Sequence, residues 1–257
     1  MSGKLIEKPG FWIVLLANLF VIGMLFSTVF SALDTIVAEA RLIREENMLL
    51  RTDVKEEISI IAKEVEYLRT ELEIVYELDE KLQRLLGDSL EVKAYVQENS
   101  VAGLSYEEQV KTAFSIVLAS ERHFEGNECL LWYYVYLINE ESHFNPQARS
   151  HVAYGPAQVT KDTFEWLGYV DEDIWDIETN IDAGAKFVRY LVDIFEGNLV
   201  LVTAGYNAGV SRVRSWVSTG VWDGKFETVN QIPFRETRNH VLKVLDNRPD
   251  QAFSVRF

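Results

Sequence analysis

A single cysteine in 257 residues, Cys129, excludes an internal disulfide and a thiolate metal cluster. It lies in the apolar run CLLWYYVYLI and reads as a small core residue rather than a nucleophile. Basic residues are scarce as well: 25 Lys and Arg against 40 Asp and Glu leave a net charge of −15 and a pI near 4.8. Such a surface repels phosphate backbones, so nucleic acid is not an expected partner. Nor is a basic patch hidden in one segment. Residues 1–35 balance, 36–99 carry 16 acids against nine bases, and 100–257 carry 22 against 14. Proline numbers only five, and neither proline nor glycine occurs from residue 36 to 86. With 48% apolar and 25% charged residues, wholesale disorder and collagen-like classes are excluded.

What is present divides into three parts: 1–34, 35–99 and 100–257. From Phe11 to Leu33 run 23 residues without a charge. As a helix this run spans about 35 Å, enough for a bilayer core of about 30 Å. A buried core helix would show more polar positions than Asn18, Ser27, Thr28 and Ser31. A signal peptide has a shorter apolar stretch, although Val29 and Ser31 fit a small-residue cleavage site. The run is expected to be an uncleaved membrane anchor. Lys4 and Lys8 precede it and Arg41 and Arg44 follow, so charge flanks do not orient it.

Beyond the span, apolar residues recur every three or four positions. Ile58, Ile61, Val65, Leu68, Leu72 and Val75 form an a/d seam, interrupted at Asp79 and resumed at Leu82 and Leu86. Gly87 is expected to end this helix, and Gln97–Gly103 reads as a linker. From Ile43 to Leu86 the rod would extend about 65 Å. One reading is a coiled coil joining a second copy or another protein through residues 43–86. The other is one amphipathic helix folded back on the C-terminal domain.

Residues 104–257 show helical patterns and no strand alternation, so the domain is expected to be all-α. Ser105 with Glu108 forms a capping box opening a helix to about Ser120. Glu128–Glu141 reads as a buried central helix, closed by Glu-Glu-Ser and the turn-forming Asn145-Pro146. Thr160, Asn180 and Asn198 are candidate helix starts, and Gly197 a candidate stop.

Five blocks in this region resemble the soluble lytic transglycosylase (SLT) domain family. They are Glu141-Ser142-His143-Phe144-Asn145-Pro146 with Ala148 and Ser150, Gly155-Pro156-Ala157-Gln158, Asn180-Ile181 with Gly184 and Tyr190-Leu191, Ala204-Gly205-Tyr206-Asn207-Ala208-Gly209, and Pro233-Phe234 with Glu236-Thr237 and Val241. They occur in the family's order over about 110 residues and cover nothing of the anchor or stalk. Two departures stand out: Pro156-Ala157 where the family has Leu-Met, and His240 where it has Tyr.

The resemblance implies a lysozyme-like helical domain cutting the β-1,4 bond between N-acetylmuramic acid and N-acetylglucosamine in peptidoglycan glycan strands, with no metal or organic cofactor. It implies Glu141 as the one catalytic acid and base, and Ser142, Gln158, Tyr206 and Asn207 as substrate-binding residues. On the residues alone, Glu140 and Glu141 read as a pair of solvated helix-end acids. The block that opens at Glu141 reverses this, and the apolar helix before it, where desolvation and the negative helix C-terminus favour the protonated form, fits that role. Glu140 is rotated from it by about 100° and is expected to point elsewhere. Glu236 is expected to be a secondary, structural acid, and Trp216 and Trp222 candidates for stacking on a sugar. Three functions compete. They are an anchored transglycosylase, a goose-type-lysozyme-like hydrolase with Asp182 or Glu236 activating water, and a glycan-binding adaptor without catalysis. The expected location is the bacterial inner membrane, single-pass, with the catalytic domain in the periplasm, in a bacterial protein or a phage-encoded one acting there.

Overall fold

The computed structural model describes residues 9–46, 53–246 and 254–255. The chain divides into two compact units, 1–80 and 81–257. The stretch 47–52 of the expected rod lies outside the described residues.

The first unit holds helix α1 (Pro9–Glu46) and the start of helix α2 (Asp53–Asn99). α1 takes in the whole uncharged run, Gly23 included. Within it, Phe20–Ala40 is long and apolar enough to cross a membrane, and none of that window is buried by protein. In this unit the Phe26 and Tyr76 rings lie 5.1 Å apart. Phe30, Leu33 and Val37 share a groove with Val65 and Leu72, so these two seam positions face α1 within one chain, while Ile58, Val75 and Leu82 are exposed.

The second unit begins inside α2. Contrary to expectation, Gly87 does not end that helix, which continues to Asn99. A helical glycine costs roughly 1 kcal/mol, and burial of Val92 and Val96, both fully inaccessible, outweighs it. Lys81 and Arg84 add ion pairs to Glu121 at 2.6 and 2.8 Å. The expected linker is therefore helical up to Asn99. Only the turn after it is irregular, pinned where Val101 N–H donates to the His143 carbonyl.

Helix α3 (Tyr106–Phe124) opens on the expected Ser105–Glu108 capping box and stops at Glu125, whose left-handed backbone closes it. Helix α4 (Glu128–Ser142) is capped by Asn127 and buries Leu130, Tyr133, Tyr134, Leu137 and Ile138. It packs against α3 on one side and against helix α9 (Arg235–Asp246) on the other. Between α4 and the next helices lies a hairpin that the sequence did not announce, β1 (Ala153–Tyr154) and β2 (Val159–Thr160), antiparallel with Ala153 opposite Thr160. Two residues per strand are too few for a period-2 pattern to register.

Thr160 caps α5 (Lys161–Trp166) and Asn198 caps α7 (Leu199–Ala208), as their side chains suggest. Helix α6 (Ile177–Ile194) instead starts at Asp176, so Asn180 lies inside it and is fully buried. Gly197 separates α6 from α7, and its carbonyl accepts from Val255 N–H. α8 (Val210–Ser218) and a 3₁₀ turn (Phe226–Gln231) lead to α9. The domain is all-α apart from the hairpin. Trp216 and Trp222 are 8% and 0% exposed, core residues with no face left for a sugar.

Candidate active site

The site begins where α4 ends. His143 and Phe144 follow Ser142 with positive φ of 50° and 60°, a conformation that non-glycine residues adopt at a cost. Full burial of Phe144 and the His143–Val101 backbone bond hold them there. This sharp turn leaves Glu140 and Glu141 at the open end of an otherwise buried helix.

Opposite stands the loop between the strands. Ser142 Oγ donates to the Pro156 carbonyl at 2.6 Å, and Tyr206 Oη donates to the Ala157 carbonyl at 2.6 Å. The Asn180 side chain accepts from Ala157 N–H and donates to the carbonyls of Tyr154 and Ile174. Two glycines allow this close approach. A Cβ on Gly155 would lie 2.5 Å from Asn180, and one on Gly184 would lie 2.4 Å from Tyr134 Oη and 2.6 Å from Ala157 Cβ. Three helices thus grip one short loop, and the loop presents Gln158, whose amide donates to the Gly155 carbonyl.

Between these parts opens a cleft of about 500 Å³ lined by Glu140, Glu141, Gln158, Tyr206, Asn207, Glu236 and His240, among others. Of the residues expected to bind substrate, Gln158, Tyr206 and Asn207 line it. Ser142 does not, its hydroxyl being spent on the loop. Asn207 Oδ1 accepts from Thr237 Oγ1 at 2.6 Å, joining α7 to α9.

Glu141 is the electrostatic centre of the cleft. Burial, then the nearby charges of Glu140 and Glu236, push its carboxyl up to about 8. Among the described residues nothing donates a hydrogen bond to it, so no bond offsets desolvation. Two expectations need correction here. Glu140 does not point elsewhere but lines the same cleft, held by Lys243 at 2.7 Å; at a helix end a cleft this wide spans neighbouring positions. Glu236 is exposed on the cleft wall rather than buried in a structural hydrogen bond. The buried polar neighbour is Thr237.

Asp182 is removed from the site. It is bonded to Arg122 at 2.5 Å, to His123 at 3.0 Å and to Tyr169, an α3–α6 brace, and it does not line the cleft. What the sequence reading missed is Lys243, together with Asn239, Ser150 and Thr160 of the lining. The spacing 236, 240 and 243 puts three of the lining residues on one face of α9, a signal available in the sequence. His240 is 93% buried by its side chain, with Nε2 at 3.4 Å from Glu141 Oε1. Burial, then Lys243, holds its imidazole down at about 4.

With this geometry in view, residues 125–228 match the model of the family described as "Transglycosylase SLT domain". Over 137 residues, 49% of this chain, the sequence is 33% identical to the soluble lytic murein transglycosylase of Escherichia coli (strain K12). The protein of the same name from Salmonella typhimurium is 31% identical over 136 residues. This chain spans only 21% of the length of each. The lytic transglycosylase Slt of Pseudomonas aeruginosa, solved as an inactive mutant, aligns with a TM-score of 0.45 and 29% identity, covering 51% of this chain and 22% of that one. The segment 125–228, the part of this chain that resembles the transglycosylase SLT domain family, contains Glu141, Gln158, Tyr206 and Asn207.

Proposed function

We propose that this chain is a membrane-anchored lytic transglycosylase acting on peptidoglycan. The observation that carries the reading is Glu141: a carboxyl held at about 8 by burial, on the wall of a polar cleft, in a segment of this family. A group protonated at neutral pH is able to give its proton to a glycosidic oxygen. As the N-acetylmuramic acid–N-acetylglucosamine bond breaks, Glu141 protonates the leaving oxygen. The 6-hydroxyl of the muramic residue then bonds to C1 and surrenders its proton to the same carboxylate. The products are a 1,6-anhydro end and a free 4-hydroxyl, Glu141 regains its proton, and water is not consumed. Gln158, Tyr206 and Asn207 would orient the glycan, while Ser142 would hold the loop that carries Gln158.

We assign residues 11–33 to the inner membrane and the domain 100–257 to the periplasmic side, where the substrate lies. The stalk, residues 35–99, would tether that domain. Added protease should remove the C-terminal domain from spheroplasts.

One observation favours a second reading. Glu236 shares the cleft with Glu141, and two carboxylates are what a hydrolase that activates water employs. Mass spectrometry of digested sacculi separates the two: anhydro ends mean transglycosylation, reducing ends mean hydrolysis. Absence of products would leave a glycan-binding adaptor. Glu141→Gln should lower turnover roughly 10³–10⁴-fold, and near-wild-type turnover would overturn the assignment.

A further inference from the structure

Buried polar atoms without a partner are rare in folded proteins. Among the described residues three side-chain atoms qualify: Thr112 Oγ1 and Ser120 Oγ on α3, and His240 Nε2. His240 lines the cleft, and its Nε2 lies 3.4 Å from Glu141 Oε1 without a formed hydrogen bond between them.

The surroundings say what such an atom is for. When Glu141 gives up its proton, a carboxylate appears in a desolvated place, with Glu140 on its own helix and Glu236 on α9 both acidic. The cation Lys243 on α9 is engaged by Glu140. From α7, Tyr206 Oη donates to the Ala157 carbonyl, and Tyr134 Oη of α4 donates to the Ile181 carbonyl. Ser142 and Gln158 likewise donate to backbone carbonyls. A neutral imidazole carries one N–H, and its position follows the acceptor it faces; for Nε2 that acceptor is Glu141 Oε1. Catalytic hydrogen bonds are often long before substrate binds and tighten as charge develops.

We propose that His240 is the positioning residue of Glu141, its Nε2–H closing on Oε1 as Oε2 releases its proton to the bridging oxygen and relaxing when the proton returns. No proton leaves His240. The bond steadies the carboxylate without adding a cation, and it turns Oε2 toward the substrate. This inference rests on the transglycosylase reading of the cleft.

The test uses the full chain in detergent, wild type against His240→Phe, His240→Gln and His240→Asn, on purified sacculi. Gln places an amide N–H near the position of Nε2, Asn falls short of it, and Phe keeps ring volume without a donor. Phe and Asn should lower kcat about 10²–10³-fold, with KM within a few-fold of wild type. Gln should recover activity to within about tenfold. Removing a donor to the charged form raises a carboxyl's pKa. The alkaline limb of the kcat/KM profile should therefore move up in Phe and Asn. The Glu141 titration, followed by carbon NMR and assigned with Glu141→Gln, should move up with it. That titration needs no turnover, so it reads the pair even where wild type proves inactive and the functional reading fails. An unmoved titration in His240→Asn, or kcat equal in Asn and Gln, overturns the proposal.

Discussion

Lys243 Nζ lies 2.7 Å from Glu140 Oε1, tying α9 to the end of α4 across the cleft wall. Lys243, which lines the cleft with Glu141, is thereby engaged by its neighbour. Glu141, one residue on, keeps a proton that a free ammonium beside it would have driven off.

Glu140→Gln is expected to separate these effects. Loss of the Glu140 charge removes a cause of the raised Glu141 value and releases Lys243 toward the cleft. The alkaline limb of activity should move down in pH, with turnover at pH 6 within about tenfold of wild type, because proton transfer itself is untouched. A pH-rate series on sacculi checks this; an unmoved limb would mean that the two carboxylates do not sense one another.

Folding stability should carry the signature of the buried pair. Glu141 has a folded value of about 8, above the ordinary 4.5, so its contribution is full below 4.5 and is lost as pH rises toward 8. His240 is depressed from 6.5 to about 4, so its contribution is present above 6.5 and is lost as pH falls toward 4. The two slopes oppose between 4.5 and 6.5, and only the Glu141 slope remains from 6.5 to 8. The melting temperature of the C-terminal transition should therefore fall over that upper window. Glu141→Gln should abolish the fall and stabilise the domain at pH 8 by a few kcal/mol, roughly.

α2 is expected to be core as well as stalk. Val96→Ala should destabilise the C-terminal transition by about 1–3 kcal/mol, although the residue lies in what the sequence presents as a spacer. Chemical denaturation of the full chain measures it, and a change within error would mean that α2 does not pack on the domain.

Self-association through the seam is expected to be parallel, since anchors would point every copy the same way. Val65 and Leu72 face α1 within one chain, so the seam has a competing occupant, and insertion of α1 in a bilayer would free it. Cross-linking of the full chain should give dimers in vesicles, lost when Val65 and Leu68 are replaced by Asp. Dimers that persist in the double variant would place the contact elsewhere.

Local chemistry made much of this molecule readable in advance. The capping box at Ser105, the caps at Thr160 and Asn198, the apolar α4 and the uncharged α1 each follow from neighbours within a few residues. Glu141 stood out from Glu140 only through the block Glu141–Pro146, because a Glu-Glu pair at a helix end reads on its own as two solvated acids; its burial came from the packing around it. Contacts far apart in sequence decided the rest. Gly87 has the composition of a helix stop, yet burial of Val92 and Val96 carries the helix past it. Asn180 has the composition of a cap, yet its amide is used up by Tyr154, Ile174 and Ala157. Glu236, Asp182 and Glu140 are equally acidic on paper. Only packing sends Asp182 to Arg122 and His123 while it turns the other two into the cleft. A side chain's type determines what bonds it can make, whereas long-range burial determines which partner is there to make them.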